Sequence, residues 1–182
     1  SRTPSRRKSS TLDQVILSTI DPTTYVTSLR AMQCATVYAC IRVRREAFAM
    51  QPCITYRRLS RGKERATDHY LYRILHDQPN QNQSAFEYWE GVSTDLDLGG
   101  NHYSLKVFNG GRLTEIPFKR DAVTPKINER GVRYYEISEG YNRDILTARE
   151  VFHVRDVSID GGISGASKIA LNRETIRHSI SA

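Results

Sequence analysis

His153 stands three residues before Asp156 and seven before Asp160, with Ser164 and Ser167 close behind. A histidine, carboxylates and hydroxyls at such range could form a metal site or a nucleophile with its base. The local pattern argues against both. In a strand over 151–157 successive side chains alternate, so His153 and Asp156 point to opposite faces. No G-x-S-x-G elbow surrounds Ser164 or Ser167, so neither occupies the strained turn that exposes a hydrolase serine. The run from Gly161-Gly162 to Gly165-Ala166-Ser167-Lys168 is the nearest approach to a phosphate-cradling loop. It lacks the first glycine at the needed offset and the glycine before the lysine. Asp95 and Asp97 diverge on a helix and form no acid–base pair. Cys34, Cys40 and Cys53 are odd in number and lack C-x-x-C spacing. They are expected to be small apolar core residues in a reducing compartment. The expectation is a protein without catalytic, cofactor or metal sites, in which His153 is structural.

The charge is distributed unevenly. The 182 residues carry 27 Lys plus Arg against 20 Asp plus Glu, a net charge of +7. Arg2, Arg6, Arg7 and Lys8 all precede the first acid, Asp13, so residues 1–27 are expected to be a basic, disordered arm and lead-in. Those four cations are the candidate phosphate contacts, since neutralising a phosphate releases counterions. A nucleic-acid-binding module using this arm is the alternative function. The remainder is only mildly basic and predicts no dedicated nucleic-acid groove. Apolar residues at 38% suit a globular chain. No apolar run approaches the roughly 18 residues a membrane span needs. Ten tyrosines among many arginines suit protein–protein contacts.

The elements that would position these residues follow from periodicity. Ser28 is expected to cap one helix running to Met50, with Leu29, Met32, Thr36, Ala39, Cys40, Val43, Ala47 and Met50 inward and Arg42, Arg45 and Glu46 outward. Pro52 stops it. A strand over 53–59 and a turn at Gly62 follow. Residues 69–76 predict a short helix with Leu71, Ile74 and Leu75 inward. Ser84 and Glu87 form a capping box for a helix presenting Phe86, Trp89, Val92 and Leu96, ended by Gly99-Gly100. The period then becomes two. A hairpin turns at Asn109-Gly110-Gly111 and pairs with 113–118, and a second joins 123–127 to 132–137. A strand over 151–157 and a flexible loop from Asp160 to Gly165 precede a last helical pattern from Ala166, which carries no stop signal before Ala182. The order is α+β, helices packed on a mostly antiparallel sheet, with the domain at 28–182.

Read in order, these segments resemble the phage portal protein family. VYACIRVRREAFAMQP (Val37 to Pro52) followed by CITYRR is similar to the opening helix and strand of that family. HYLYRILHDQPN, ending at Pro79-Asn80, resembles its "HPLY-LL–PN" segment, and SAFEYW, ending at Trp89, its "T-x-F-x-F-W" helix start. Gly100-Asn101-His102-Tyr103 resembles its "G-N-A-Y" junction, EVFHVR around His153 its "E-V-I-H-I-R" strand, and Gly162 to Ser167, through Gly165, its "G-x-S" loop. Tyr70, His102 and Ala166 depart from the pattern. The resemblance implies a wing-like domain of one subunit in a twelve-fold ring at a capsid vertex of the virion, assembled in the host cytoplasm, with stem, clip and crown mostly in sequence outside this stretch. It further implies genome packaging and ejection through the ring, head–tail connection, and as partners further copies of the chain, capsid protein, terminase, a head–tail adaptor and double-stranded DNA. No cofactor and no membrane are implied. Pro79, Asn80, Trp89, Gly100, Asn101, Tyr103, His153, Gly165 and Ser167 are its structural motif residues.

Overall fold

A computed structural model describes residues 28–109, 112–117, 123–139 and 142–181. The arm with Arg2, Arg6, Arg7 and Lys8, the lead-in to residue 27 and the turn glycines Gly110 and Gly111 lie outside the described residues. The chain begins with α1 (Ser28–Ala31) and α2 (Ala35–Ala49), followed by a small hairpin of β1 (Tyr56–Arg58) and β2 (Lys63–Arg65). A single helical turn, α3 (Tyr70–Tyr72), widens into a π-turn over Arg73–Asp77 and leads to α4 (Ala85–Gly99). Six strands come next: β3 (Asn101–Asn109), β4 (Arg112–Pro117), β5 (Val123–Ile127), β6 (Arg133–Glu139), β7 (Asn142–Thr147) and β8 (Val151–Arg155). Helices α5 (Lys168–Leu171) and α6 (Arg173–Ser181) end the described chain.

All strand pairings are antiparallel, in sheets ordered β4-β3-β8, β5-β6-β7 and β1-β2. The α+β expectation holds. Helix α4 packs against α2 on one side and β3 on the other. The far face of the β3 sheet meets the β5-β6-β7 sheet through Tyr103, Val151, Val123, Tyr135 and Ile137. Strand β3 is thus covered on both faces, and its usual alternation vanishes: Asn101, His102, Tyr103 and Ser104 are all buried.

Local rules place α4 well. The Ser84 hydroxyl accepts from the Glu87 N–H at 3.3 Å, while the Glu87 carboxylate accepts from the Ser84 N–H at 2.8 Å. Gly100 closes the helix at φ 73°, in the left-handed region. Its inward residues are broader than the expected stripe: Tyr88, Val92, Ser93, Asp97 and Leu98 are buried, whereas Phe86 is exposed.

The structure corrects the first helix. Residues 28–50 form two helices, broken at Met32–Cys34 by i→i−3 bonds from Gln33 and Cys34 and by an extended Cys34. In one straight helix Ala31 and Ile41 would point about 80° apart. The break lets both join Leu98, Ile169 and Ile176 in one cluster. Ser28 starts α1 without capping a long helix, and its hydroxyl lies 3.5 Å from the Leu98 carbonyl oxygen. The inward face of α2 is also reversed. Ile41 and Ala49 are buried with Val37 half-buried, while Thr36, Ala39, Cys40, Val43, Ala47 and Met50 are exposed. Arg45 faces α4, where it pairs with Glu90 at 3.4 Å. Arginines sit on the buried side because α4 supplies acids there, which disguises that side in the sequence. The cysteine expectation fails with it: Cys40 is exposed, and Cys34 and Cys53 are only partly buried.

The last helical pattern splits at Asn172 into α5 and α6. Strand β7 and the β2 side of the first hairpin are additions to the expected elements. In the short helix Ile74 is buried, with Leu71 and Leu75 half-buried.

Candidate functional site

Six of the motif residues meet where α4 passes into β3. Gly100 and Gly165 abut there: a Cβ on Gly100 would lie 2.5 Å from the Gly165 carbonyl oxygen, and one on Gly165 would overlap the Gly100 carbonyl. The segment after β8 ties the two together: the Asp156 N–H donates to Gly100 O at 2.9 Å, and the Ala166 N–H donates to Val157 O at 2.8 Å. Only glycine allows this crossing.

Asn101 locks the crossing. Its Nδ2 donates to the carbonyls of Gly99 (3.1 Å) and Gly165 (2.9 Å), and its Oδ1 accepts from the Gly165 N–H at 2.7 Å and faces His153 Nε2 at 3.0 Å. Because Oδ1 can only accept, Nε2 carries the proton. His153 Nδ1 then accepts from the Tyr135 hydroxyl at 3.3 Å. The ring stacks on Tyr103 at 4.4 Å between centroids. Burial, then the nearby Arg133 and Arg155 charges, lower the His153 pKa to about 4, so the ring is neutral near pH 7. Burial likewise pushes the Tyr103 hydroxyl up. Ser167 caps α5 by accepting from the Ala170 N–H and donates to Leu98 O at 2.6 Å.

The other grouping that the spacing suggested does not form. His153 touches neither Asp156 nor Asp160. Asp156 pairs with Lys168, which also bonds Asp97 at 2.8 Å. Asp160 accepts from the Ser158 and Ser164 hydroxyls and from the Ile163 and Ser164 N–H groups. Those bonds hold its carboxyl well below the usual range and brace a loop expected to be flexible. Asp95 and Asp97 diverge as expected. Asp97, almost fully buried, joins α2 to α5 through Arg44 and Lys168.

Periodicity gave no sign of a second buried network. The Tyr88 hydroxyl lies 2.9 Å from Ser104 Oγ, which lies 2.8 Å from His102 Nε2, and His102 Nδ1 lies 2.8 Å from Asp95 Oδ2. Aspartate, histidine and serine stand in the order of a hydrolase triad. Ser104 is 0% exposed and Tyr88 1%, and the Ser104 hydroxyl is taken up between Tyr88 and His102, so it is a buried packing contact. The network pins α4 onto β3. Its sequence signal was the seven-residue offset from Asp95 to His102 across the Gly99-Gly100 reversal.

Pro79, Asn80 and Trp89 lie apart, at the entry to α4. Pro79 is fully buried, and the Asn80 side chain closes the turn by accepting from the Asn82 N–H (2.9 Å) and donating to Gln83 (3.0 Å). The Trp89 indole donates to Leu75 O at 3.0 Å, one of the carbonyls left over at a helix end. A groove of about 490 Å³ between His69, Tyr70, Arg73 and Asn80 borders this turn.

Comparison with known proteins agrees with this architecture. Protein BeeE of Escherichia coli (strain K12) is 37% identical over 91 residues, covering 50% of this chain and 58% of that protein. The neck of an empty gene transfer agent (GTA) particle superposes with a TM-score of 0.72 at 16% identity, over 85% of this chain and 44% of that one. The crystal structure of an HK97 family phage portal protein from Corynebacterium diphtheriae gives 0.51 at 14% identity, over 72% and 41%. This chain therefore spans about half the length of the proteins it matches. The family profile described as phage portal protein matches residues 35–182, from the start of α2 through the glycine crossing to α6, and the chain belongs to that family.

Proposed function

We propose that this chain is the wing-like part of one subunit of a portal ring, a structural part of the virion at the vertex that joins head to tail. The family match over residues 35–182 carries the reading. The architecture supports it. The polar residues that could do chemistry, including the Asp95–His102–Ser104 series, are committed to holding α4, β3 and the loop before α5 together. A subunit that must mate with neighbours gains from such a stiff wall, because heterologous contacts close into a ring only if the angle between copies is kept. In this reading Pro79, Asn80, Trp89, Gly100, Asn101, Tyr103, His153, Gly165 and Ser167 are packing residues.

Twelve copies surround a channel through which double-stranded DNA is packaged and ejected. Capsid protein, a terminase and a head–tail adaptor bind other parts of the ring, and assembly takes place in the host cytoplasm. Negative-stain microscopy of the full-length protein tests this. The expected result is closed rings with a central channel; monomers alone, across salt and protein concentration, would overturn it.

A further inference from the structure

The small hairpin β1–β2 sorts its charges by face. Cross-strand partners are Tyr56 with Arg65, Arg57 with Glu64 and Arg58 with Lys63, so Tyr56, Arg58, Lys63 and Arg65 share one face. The opposite face is neutralised: Arg57 pairs with Glu64 at 3.3 Å and with Asp68 at 2.8 Å. Among the described residues, Arg58 and Arg65 on the first face have no acidic partner, and neither does Arg61 at the turn. Lys63 sits over the Tyr56 ring at 4.5 Å, which holds the ammonium in place without cancelling its charge. Every residue of both strands is exposed. The arginines of α2 behave differently, with Arg42, Arg44 and Arg45 each paired to an acid.

We infer that this face of the hairpin is a binding site for the phosphate backbone of duplex nucleic acid. Alternate residues on a strand stand about 6.7 Å apart and cross-strand neighbours about 5 Å apart, so the cations form a compact block. A duplex presents a negative charge every 1.7 Å or so of its axis, and its major groove admits a two-stranded ribbon. The face holds cations and a tyrosine, with no apolar anchor to bury, so it suits a dense polyanion better than a folded acidic protein. No base-reading geometry is evident, and the binding is independent of sequence. It is separate in sequence from the terminal arm and does not depend on assembly into a ring. Microscopy tests the ring; the measurements below test the hairpin.

The test is fluorescence anisotropy of the full chain with a labelled 20-base-pair duplex, titrated from 50 to 200 mM salt. The full chain is expected to bind with steep salt dependence. The triple variant R58Q/K63Q/R65Q should bind at least tenfold more weakly at 50 mM, with a log–log salt slope shallower by about 2 to 3, since each phosphate contact contributes roughly 0.9. Arg57→Gln on the neutralised face should stay within twofold. Lys63 should also react at least threefold more slowly with an amine-directed acetylating ester when duplex is present. Unchanged binding by the triple variant, or no protection of Lys63, overturns the inference. So does hairpin-dependent binding of polyglutamate that is as tight as that of the duplex, which would make an acidic protein surface the partner.

Discussion

Asn101 commits every hydrogen-bonding position of its side chain, two donors and two acceptor directions, to groups in a closed crossing. Replacing it by alanine strands the Gly165 N–H, the His153 Nε2–H and two carbonyls. A buried polar group left without a partner costs about 1–3 kcal/mol, and partial access of water eases the outermost. Asn101→Ala should lower stability by about 3 kcal/mol in urea denaturation. Gly165→Ala should cost at least as much, because its methyl would overlap the Gly100 carbonyl, and the Asp156 N–H holds that carbonyl in place while Asn101 holds both backbone groups of Gly165. Ser167→Ala, which loses a cap and one bond to Leu98, should cost only about 1 kcal/mol. If all three cost the same, the crossing is not a rigid point.

At the scale of elements, α2 separates two readings of one helix. The spacing of Thr36, Ala39, Cys40, Val43, Ala47 and Met50 points one face inward, whereas in the structure the nearly opposite face, with Ile41 and Ala49, is buried. Ile41→Ala should lower stability by about 2–4 kcal/mol, as for a truncated core aliphatic. Val43→Ala, at 67% exposure, should change it by less than about 0.5 kcal/mol. Urea denaturation of the two variants decides, and the reverse order would restore the periodicity reading. Local signals were legible throughout. The Ser84–Glu87 box, the Gly100 stop, the hairpin β5–β6 and strand β8 depend on residues close in sequence, and they form where expected. The face of α2 was not legible, because Arg44 and Arg45 turn towards α4 only once that helix brings Asp97 and Glu90 beside them. The site was legible in the same proportion. Gly100, Asn101, His153 and Gly165 stood out as motif residues, but nothing local tells that Asn101 reaches across 52 positions to His153. The buried Asp95–His102–Ser104 series was missed because His102 and Ser104 alternate with Asn101 and Tyr103 on a strand buried on both faces.

At the scale of the whole molecule, His153 couples the layers. It sits on β8, bonds Asn101 on β3 and Tyr135 on β6, and through Asn101 reaches the loop leading to α5. Protonation of Nδ1 would put a donor against the Tyr135 hydroxyl, which must then accept, and a charge beside Arg133 and Arg155. The folded state therefore resists the proton, with the pKa at about 4 against an ordinary 6.5. Since the unfolded chain takes up the proton first, stability rises with pH across this window. It is complete above about 6.5 and falls as the pH drops towards 4, by no more than about 2 kcal/mol once the ring's partial access to water is allowed for. Other groups titrate in the same range, so the absolute curve does not isolate the histidine. Comparison with His153→Gln does, because that side chain keeps a donor for Asn101 and carries no titrating proton. Urea denaturation at pH 7 and pH 4.5 should show a larger loss for the parent protein than for His153→Gln, and the loss should register equally in tyrosine fluorescence and far-ultraviolet circular dichroism, since sheets and helices share the junction. Equal losses in the two proteins would mean that His153 is already solvated in the folded state and that the junction does not bind the layers into one cooperative unit.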